Sequence, residues 1–84
     1  MYYFYLFLCK DGSLYSGIAT NLDAREKQHN QGVGSKYVRS RGGGVVVYSE
    51  QHADRSEAQK REAAVKRLSK SKKLELIQQK KLPR

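Results

Sequence analysis

The run YYFYLFLC at residues 2–9 places the tightest constraint on what this chain can fold into. Aromatic and aliphatic side chains occupy both the odd-numbered and the even-numbered positions of this segment, and successive side chains of a β-strand point to opposite faces of the sheet. Such a strand must be covered on both faces. KDGS then supplies an Asp-Gly turn and LYSGIA a second strand, so residues 2–19 predict a β-hairpin whose first strand is central in a sheet.

The length of 84 residues suits one small domain, predicted to span residues 1–84. The single cysteine, Cys9, cannot form an internal disulfide and is expected to be a buried strand residue. This cysteine usage predicts a reducing, cytoplasmic compartment. The apolar segment MYYFYLFLC is far too short to span a bilayer and has no basic leader, so we expect no membrane partner.

The rest of the chain predicts helices on both sides of a third strand. Thr20 and Asn21 are good N-caps, and LDAREKQHN predicts a helix that ends at Gly32. The basic, glycine-rich segment 32–44 predicts a mobile loop with at most one helical turn, and VVVYSEQ predicts the third strand.

Ser56 and Gln59 form a capping box for a helix over about 57–68, and Ser69 begins a final basic helix. The predicted fold class is a small α/β sandwich with a three-stranded, mostly antiparallel sheet and the order β-β-α-β-α-α.

Several polar residues lie at positions where packing is expected. Arg25, Glu26 and His29 share a face of the first helix with Leu22, its one large apolar residue. An arginine stem that covers apolar surface and a surface histidine would be the structural explanation. On the second strand Tyr15 has the same parity as Gly17, and a strand glycine often marks close approach by another element or a ligand.

A carboxylate borders the buried face of the helix after the third strand. Ala58, Val65 and Leu68 define the apolar stripe of this helix, and Glu62 lies between them. Burying an unpaired carboxylate is costly, so Glu62 is expected to have a partner. A metal ion is one alternative, and the other is a salt bridge to Arg61, Lys66 or Arg25.

Together, FYLFLC, LYSGIATNLDAREKQHN and EAQKREAAVKRL resemble the GIY-YIG nuclease family in its stand-alone bacterial single-domain form. The two family signatures align with YFY and YSG across the hairpin. Tyr3, Phe4 and Ser16 depart from those signatures, which leaves substrate preference open. The resemblance implies catalytic roles for Tyr5, Tyr15, Arg25, His29 and Glu62.

Phosphodiester hydrolysis needs a nucleophilic water, a proton acceptor and positive charge at the phosphoryl oxygens. Arg25 can bind phosphate bidentately, and Glu62 is a hard oxygen ligand for one Mg²⁺ or Mn²⁺ ion. Either Tyr5 or Tyr15 could activate water. The resemblance implies that Tyr15 positions or activates the nucleophilic water and that Tyr5 is the hydrogen-bonded partner of Tyr15. It also implies that His29 is a supporting or proton-shuttling residue. The other acidic residues are expected mostly in turns or on solvent faces, which favours one metal ion over two. They are Asp11, Asp23, Glu26, Glu50, Asp54, Glu57 and Glu75.

The net charge of +9, from 17 Lys and Arg against 8 Asp and Glu, makes nucleic acid the expected partner. Two basic segments are predicted to hold its backbone without reading sequence. They contribute Lys36, Tyr37, Arg39 and Arg41 from the glycine-rich loop, and Lys66, Arg67 and Lys70 near the start of the last helix.

These features predict a metal-dependent endonuclease that hydrolyses DNA with low sequence specificity, in DNA repair or in processing of foreign DNA. YLFLC and AREKQHN also look like the nuclease subunit of eukaryotic structure-specific endonucleases, which favours single-stranded or branched DNA and a protein partner that supplies specificity. One alternative is a non-catalytic nucleic-acid-binding module of the same fold. Another is a structural interaction domain in which the same polar residues form a buried network. Duplex DNA and RNA remain open as substrates.

Overall fold

The computed structural model describes residues 1–81, which form a three-stranded antiparallel sheet with strand order β2-β1-β3. The strands are β1, Tyr2–Cys9, β2, Leu14–Ala19, and β3, Gly44–His52. The helices are α1, Leu22–Asn30, α2, Lys36–Ser40, α3, Arg55–Lys66, and α4, Lys70–Lys81. The predicted fold class is confirmed, and the segment predicted as a loop contains the short helix α2. No helix within residues 1–81 is long and apolar enough to cross a membrane.

Strand β1 is central and buried on both faces, as its composition predicts. On one face Tyr5, Phe7 and Cys9 pack with Val38 of α2 and Leu22 at the start of α1. The opposite face packs against α3 and α4 through Phe4, Leu6, Val65 and Ile77. The sheet is therefore the middle layer, with α1 and α2 on one side and α3 and α4 on the other.

Helix α1 turns a largely polar face toward the sheet. Its less exposed residues are Leu22, Arg25, Glu26 and His29, the face predicted from their spacing. Glu26 Oε2 accepts a hydrogen bond from the backbone N–H of Val46 at 2.7 Å. Asn30 bonds both backbone groups of Gly44, at 2.8 and 3.0 Å. These bonds satisfy exposed backbone of the edge strand β3, so Glu26 is a structural residue.

The start of α3 differs from its prediction. Asp54 is the N-cap, because its Oδ1 accepts a hydrogen bond from the N–H of Glu57 at 2.9 Å, and Ser56 lies inside the first turn. The helix begins earlier than predicted because β3 ends at His52 and a capping carboxylate follows almost at once. Leu68 lies beyond the end of α3 and is exposed, so it does not extend the buried stripe as predicted.

Candidate active site

The pairing of the first two strands places Tyr5 of β1 opposite Gly17 of β2. The Tyr5 ring lies over this glycine, and a Cβ atom at position 17 would stand 2.5 Å from the tyrosine hydroxyl oxygen. The glycine therefore leaves the space that the hydroxyl occupies. The same hydroxyl is hydrogen-bonded to Nε2 of His29 at 2.8 Å, in a buried position. This pair joins the centre of the sheet to the end of α1.

His29 is enclosed by three aromatic rings. Its ring centre lies 4.7 Å from that of Phe7, 5.4 Å from that of Tyr15 and 6.0 Å from that of Tyr5. Gly34 closes the remaining side, since a Cβ atom there would stand 2.6 Å from His29 Nδ1. Nδ1 is buried and has no hydrogen-bond partner within residues 1–81. The imidazole is thus held rigidly, with one nitrogen committed to Tyr5.

Burial determines the protonation of this pair. Desolvation lowers the pKa of His29, and the positive charge of Arg25 lowers it further, which favours the neutral imidazole. Desolvation also raises the pKa of Tyr5 to about 12, although the Arg25 guanidinium opposes the rise. Tyr5 therefore keeps its proton near neutral pH, and as a fully buried side chain it is poorly placed to meet water.

Arg25 is oriented by hydrogen bonds to Ile18 and Gln28, and its guanidinium also acts on the Tyr5 hydroxyl. Its Nη1 donates to the backbone carbonyl of Ile18 at 3.2 Å, and its Nε donates to the side chain of Gln28 at 3.1 Å. These bonds hold the half-buried guanidinium beside the end of β2. The group has five N–H donors, so N–H groups on Nη1 and Nη2 remain for a ligand. Their fork geometry suits a phosphate group.

Glu62 reaches the site from the opposite layer, because α3 packs against both β1 and β2. Its carboxylate lies close enough to Tyr5 to add to the rise in the pKa of that hydroxyl, as a smaller effect than burial. The side chain is 22% exposed, and its Oε2 lies 3.5 Å from Nζ of Lys66. The predicted salt-bridge alternative is thus present with Lys66, as a pair of the weak i, i+4 kind.

Few side chains near the candidate active site could coordinate a metal ion. No group of three or more His, Cys, Asp or Glu within residues 1–81 is arranged to hold one. A single partly exposed carboxylate suits Mg²⁺ that keeps most of its waters and takes other ligands from a substrate phosphate. Glu50, predicted to be on a solvent face, is instead half-buried in an ion pair with Arg61 at 2.9 Å. It is therefore not a second metal ligand.

An aromatic and cationic stack borders the site on the α2 side. The ring centres of Tyr15 and Tyr37 lie 5.7 Å apart, and the Arg41 guanidinium carbon lies 3.9 Å from the centre of the Tyr37 ring. Arg41 Nε is also 3.5 Å from an oxygen of Asp11. The stack connects Tyr15 to the basic segment that sequence patterning predicted as a nucleic-acid contact.

Comparison with known proteins identifies the family. A model of the GIY-YIG catalytic domain matches residues 1–75. The chain belongs to the GIY-YIG nuclease family. The family predicted from the sequence is thereby confirmed, although the signatures here carry Tyr3, Phe4 and Ser16 at the departing positions.

Relatives of this GIY-YIG chain are of similar length. It is 48% identical to a UPF0213 protein of Clostridium perfringens over 95% of this chain and 86% of that protein. It is 44% identical to a UPF0213 protein of Staphylococcus haemolyticus over 93% and 95% of the two chains. The solution NMR structure of a UPF0213 protein from Bacillus halodurans is 42% identical, covers 99% of this chain and 89% of that one, and has a TM-score of 0.62.

The GIY-YIG domain brings most of the predicted site residues together. Tyr5, Tyr15, Arg25 and His29 form one cluster, and Glu62 lies within electrostatic reach of it. The hydrogen bond of Tyr5 runs to His29, whereas the sequence led us to expect a Tyr5–Tyr15 bond. The predicted backbone contacts Lys36, Arg39, Lys66, Arg67 and Lys70 are exposed. Sequence reasoning missed Gly34 as the wall behind His29, because one glycine among seven carries no sign of what it packs against.

Proposed function

We propose that this GIY-YIG domain is a metal-dependent endonuclease that hydrolyses DNA phosphodiester bonds with low sequence specificity. The proposal rests chiefly on the convergence of Arg25 from α1 and Glu62 from α3 on the buried Tyr5–His29 pair. A purely structural polar network needs no free guanidinium donors at its edge. A simple nucleic-acid-binding module needs positive charge but no inward carboxylate.

In the proposed reaction Arg25 binds the scissile phosphate and offsets the negative charge that grows on its oxygens. Tyr15, the less buried tyrosine, aligns the attacking water. The water oxygen bonds to phosphorus, the bond to the leaving sugar oxygen breaks, and that oxygen takes a proton from solvent. The proton lost by the water passes to solvent by way of the Tyr15 hydroxyl, which gives up its own proton as it accepts that of the water, and neutral His29 supports the site through its hydrogen bond to Tyr5.

Glu62 is the proposed ligand for one Mg²⁺ or Mn²⁺ ion, which would supply electrostatic stabilisation of the transition state when bound. The partly exposed carboxylate and its weak pairing with Lys66 support this role, because Lys66 can release it without a large loss of stability. The exposed basic residues and Tyr37 are proposed to hold the strand. Single-stranded or branched DNA is the proposed preference, in repair or in processing of foreign DNA.

Cleavage assays on single-stranded, duplex and branched DNA, with Mg²⁺, with Mn²⁺ and with EDTA, test the proposal. We expect Glu62→Gln to lower the single-turnover rate by about 10³-fold, because metal-ion stabilisation is worth several kcal/mol. Arg25→Lys should lower it by about 10²-fold, because lysine cannot reproduce the bidentate contact. Both variants should still bind DNA.

Glu75→Gln is the matched control. Glu75 is exposed on α4 and pairs with Lys72 at 3.8 Å, so its loss should change the rate by less than about twofold. Cleavage by Glu62→Gln at the wild-type rate would show that the site assignment is wrong. Binding of every substrate without cleavage would instead support the non-catalytic binding module.

A further inference from the structure

A small cleft opens beside the candidate active site, at the end of β2. It has a volume of about 150 Å³, or roughly five water molecules. It is lined by Tyr2, Ile18, Ala19, Thr20, Arg25 and Arg55. Arg25 comes from α1 and Arg55 from the first turn of α3, so the two helical layers meet at this cleft. A cleft of this size admits a phosphate group with its bound water but not a nucleoside.

The walls of the cleft carry two positive charges and no carboxylate. The Arg55 residue is exposed, and its side chain makes no hydrogen bond or ion pair with other residues of the 1–81 range. Arg25 is held from behind by Ile18 and Gln28, which leaves donors free. Two guanidinium groups that share one small cleft repel each other, so an anion between them relieves the repulsion.

From this geometry we infer that the cleft binds a second backbone phosphate of the nucleic-acid strand, next to the phosphate that is cleaved, and that Arg55 is its main ligand. The inference rests on the proposed function and extends it. Arg25 borders both positions, because it lines the cleft and also acts on the Tyr5–His29 pair. The Thr20 hydroxyl, on the cleft wall, is a further donor.

A second phosphate contact has a consequence for catalysis. A strand held at two successive phosphates cannot rotate about the scissile one, so the leaving oxygen keeps its direction relative to the attacking water. Arg55 is thus a positioning residue for the reaction. Because it touches phosphate and not bases, its contribution should be independent of sequence.

The test measures binding of a short fluorescein-labelled oligothymidylate by anisotropy across a range of salt concentrations, in EDTA so that no cleavage occurs. Arg55→Ala should raise Kd about three- to tenfold and make the slope of log K against log salt shallower by about 0.7, the value for one lost contact to single-stranded nucleic acid. Arg55→Lys should give an intermediate Kd, because it keeps the charge and loses the fork.

The matched control is Lys60→Ala, which removes the same charge from an exposed position of α3 outside the cleft. It should change Kd by less than about twofold and leave the slope unchanged. In amide NMR spectra, the oligothymidylate should shift the signals of Ala19, Thr20 and Arg55, and Arg55→Ala should remove the shifts at Ala19 and Thr20.

The outcomes separate this inference from the proposed function. If Arg55→Ala has the same Kd and salt slope as Lys60→Ala, or if the Ala19 and Thr20 signals do not move, the second phosphate position is refuted while the nuclease stands. If wild-type protein binds without cleaving any substrate, the nuclease proposal fails, and a shallower slope for Arg55→Ala still supports the cleft as a phosphate site.

Discussion

His29 is the residue on which the candidate site depends. It is 1% exposed, it is enclosed by Phe7 and Tyr15, and it is hydrogen-bonded to Tyr5. A buried histidine of this kind is neutral because desolvation disfavours its charged form. It therefore serves two roles, as part of the core between α1 and the sheet and as the partner that holds the Tyr5 hydroxyl in position.

Changing Tyr5 or Tyr15 to phenylalanine should have different effects on stability and on cleavage. Tyr5→Phe leaves His29 Nε2 buried without its partner, so the free energy of unfolding should fall by about 1–2 kcal/mol and cleavage should fall as well. Tyr15→Phe should change stability by less than about 0.5 kcal/mol, since Tyr15 is only partly buried, yet reduce cleavage strongly. Urea denaturation and single-turnover assays on both variants check this. Equal stability losses would contradict the roles assigned here.

Burial of His29 should also make stability depend on pH. The unfolded chain takes up the histidine proton as the pH falls through 6.5, whereas the folded protein, with its lowered pKa, does not. The contribution of His29 to the free energy of unfolding should therefore be fully present above that pH. Below it, the free energy of unfolding should decrease by up to about 1.4 kcal/mol per pH unit.

Urea denaturation between about pH 7.5 and pH 5.5 measures this dependence, a range that starts above the reference pKa of histidine and stops above those of the carboxyl groups. His29→Gln should make the free energy of unfolding depend less on pH. His52→Gln leaves His29 in place, so this variant should keep the pH dependence that arises from His29. An unchanged slope in His29→Gln would show that another group is responsible.

Helix α3 must be placed accurately, because it carries Glu62 to a site whose other residues lie mainly in the layer on the opposite side of the sheet. An ion pair between Arg61 of α3 and Glu50 of β3 anchors this helix to the sheet. Glu50 accepts hydrogen bonds from Arg61 Nε, at 2.9 Å to each carboxylate oxygen, and from the hydroxyl of Tyr48. Arg61 is the neighbour of Glu62 in the sequence, so we expect this pair to help fix the rotation of α3 about its axis.

Breaking the pair should affect both stability and activity. Arg61→Ala leaves a half-buried carboxylate without its main partner and should lower the free energy of unfolding by about 1–3 kcal/mol. Cleavage should fall although Arg61 is not assigned to the substrate. In a double-mutant cycle, the effects of Arg61→Ala and Glu50→Gln should be non-additive. The control is Lys72→Ala, which removes one partner of the exposed ion pair with Glu75. Additive effects would show that the pair does not position α3.

For the whole molecule, the positive charge controls encounter with nucleic acid. The net charge is +9, and two of the acidic residues, Glu26 and Glu50, are occupied in structural bonds. Arg41 is partly neutralised by Asp11 and stacks on Tyr37, so it contributes to the shape of the surface as well as to its charge.

Binding to single-stranded DNA in EDTA should depend steeply on salt and little on sequence. With four to six phosphate contacts, a threefold rise in salt should weaken binding by about 20- to 100-fold. Lys66→Ala should make the slope shallower by about 0.7, whereas Lys27→Ala, on the exposed face of α1 outside the predicted contacts, should leave it unchanged. Anisotropy titrations measure both. A slope near zero would rule out backbone contacts as the source of affinity.

The sequence by itself determined the sheet, the position of β1 within it and the inward face of α1. These features follow from local physics, because alternation and helical spacing decide which side chains lie on a common face. The resemblance to the GIY-YIG family likewise required only residue order, since the family motifs lie on the hairpin and two helices.

Only the tertiary structure decided which groups meet. The bond from Tyr5 to His29, the contact of Gly34 with His29 and the ion pair of Glu50 with Arg61 each join residues of different elements or of an element and a loop. So does the cleft shared by Arg25 and Arg55, which the sequence places on separate helices. Periodicity reports the direction in which a side chain points along its own element, whereas the packing of two layers on one sheet determines what it touches.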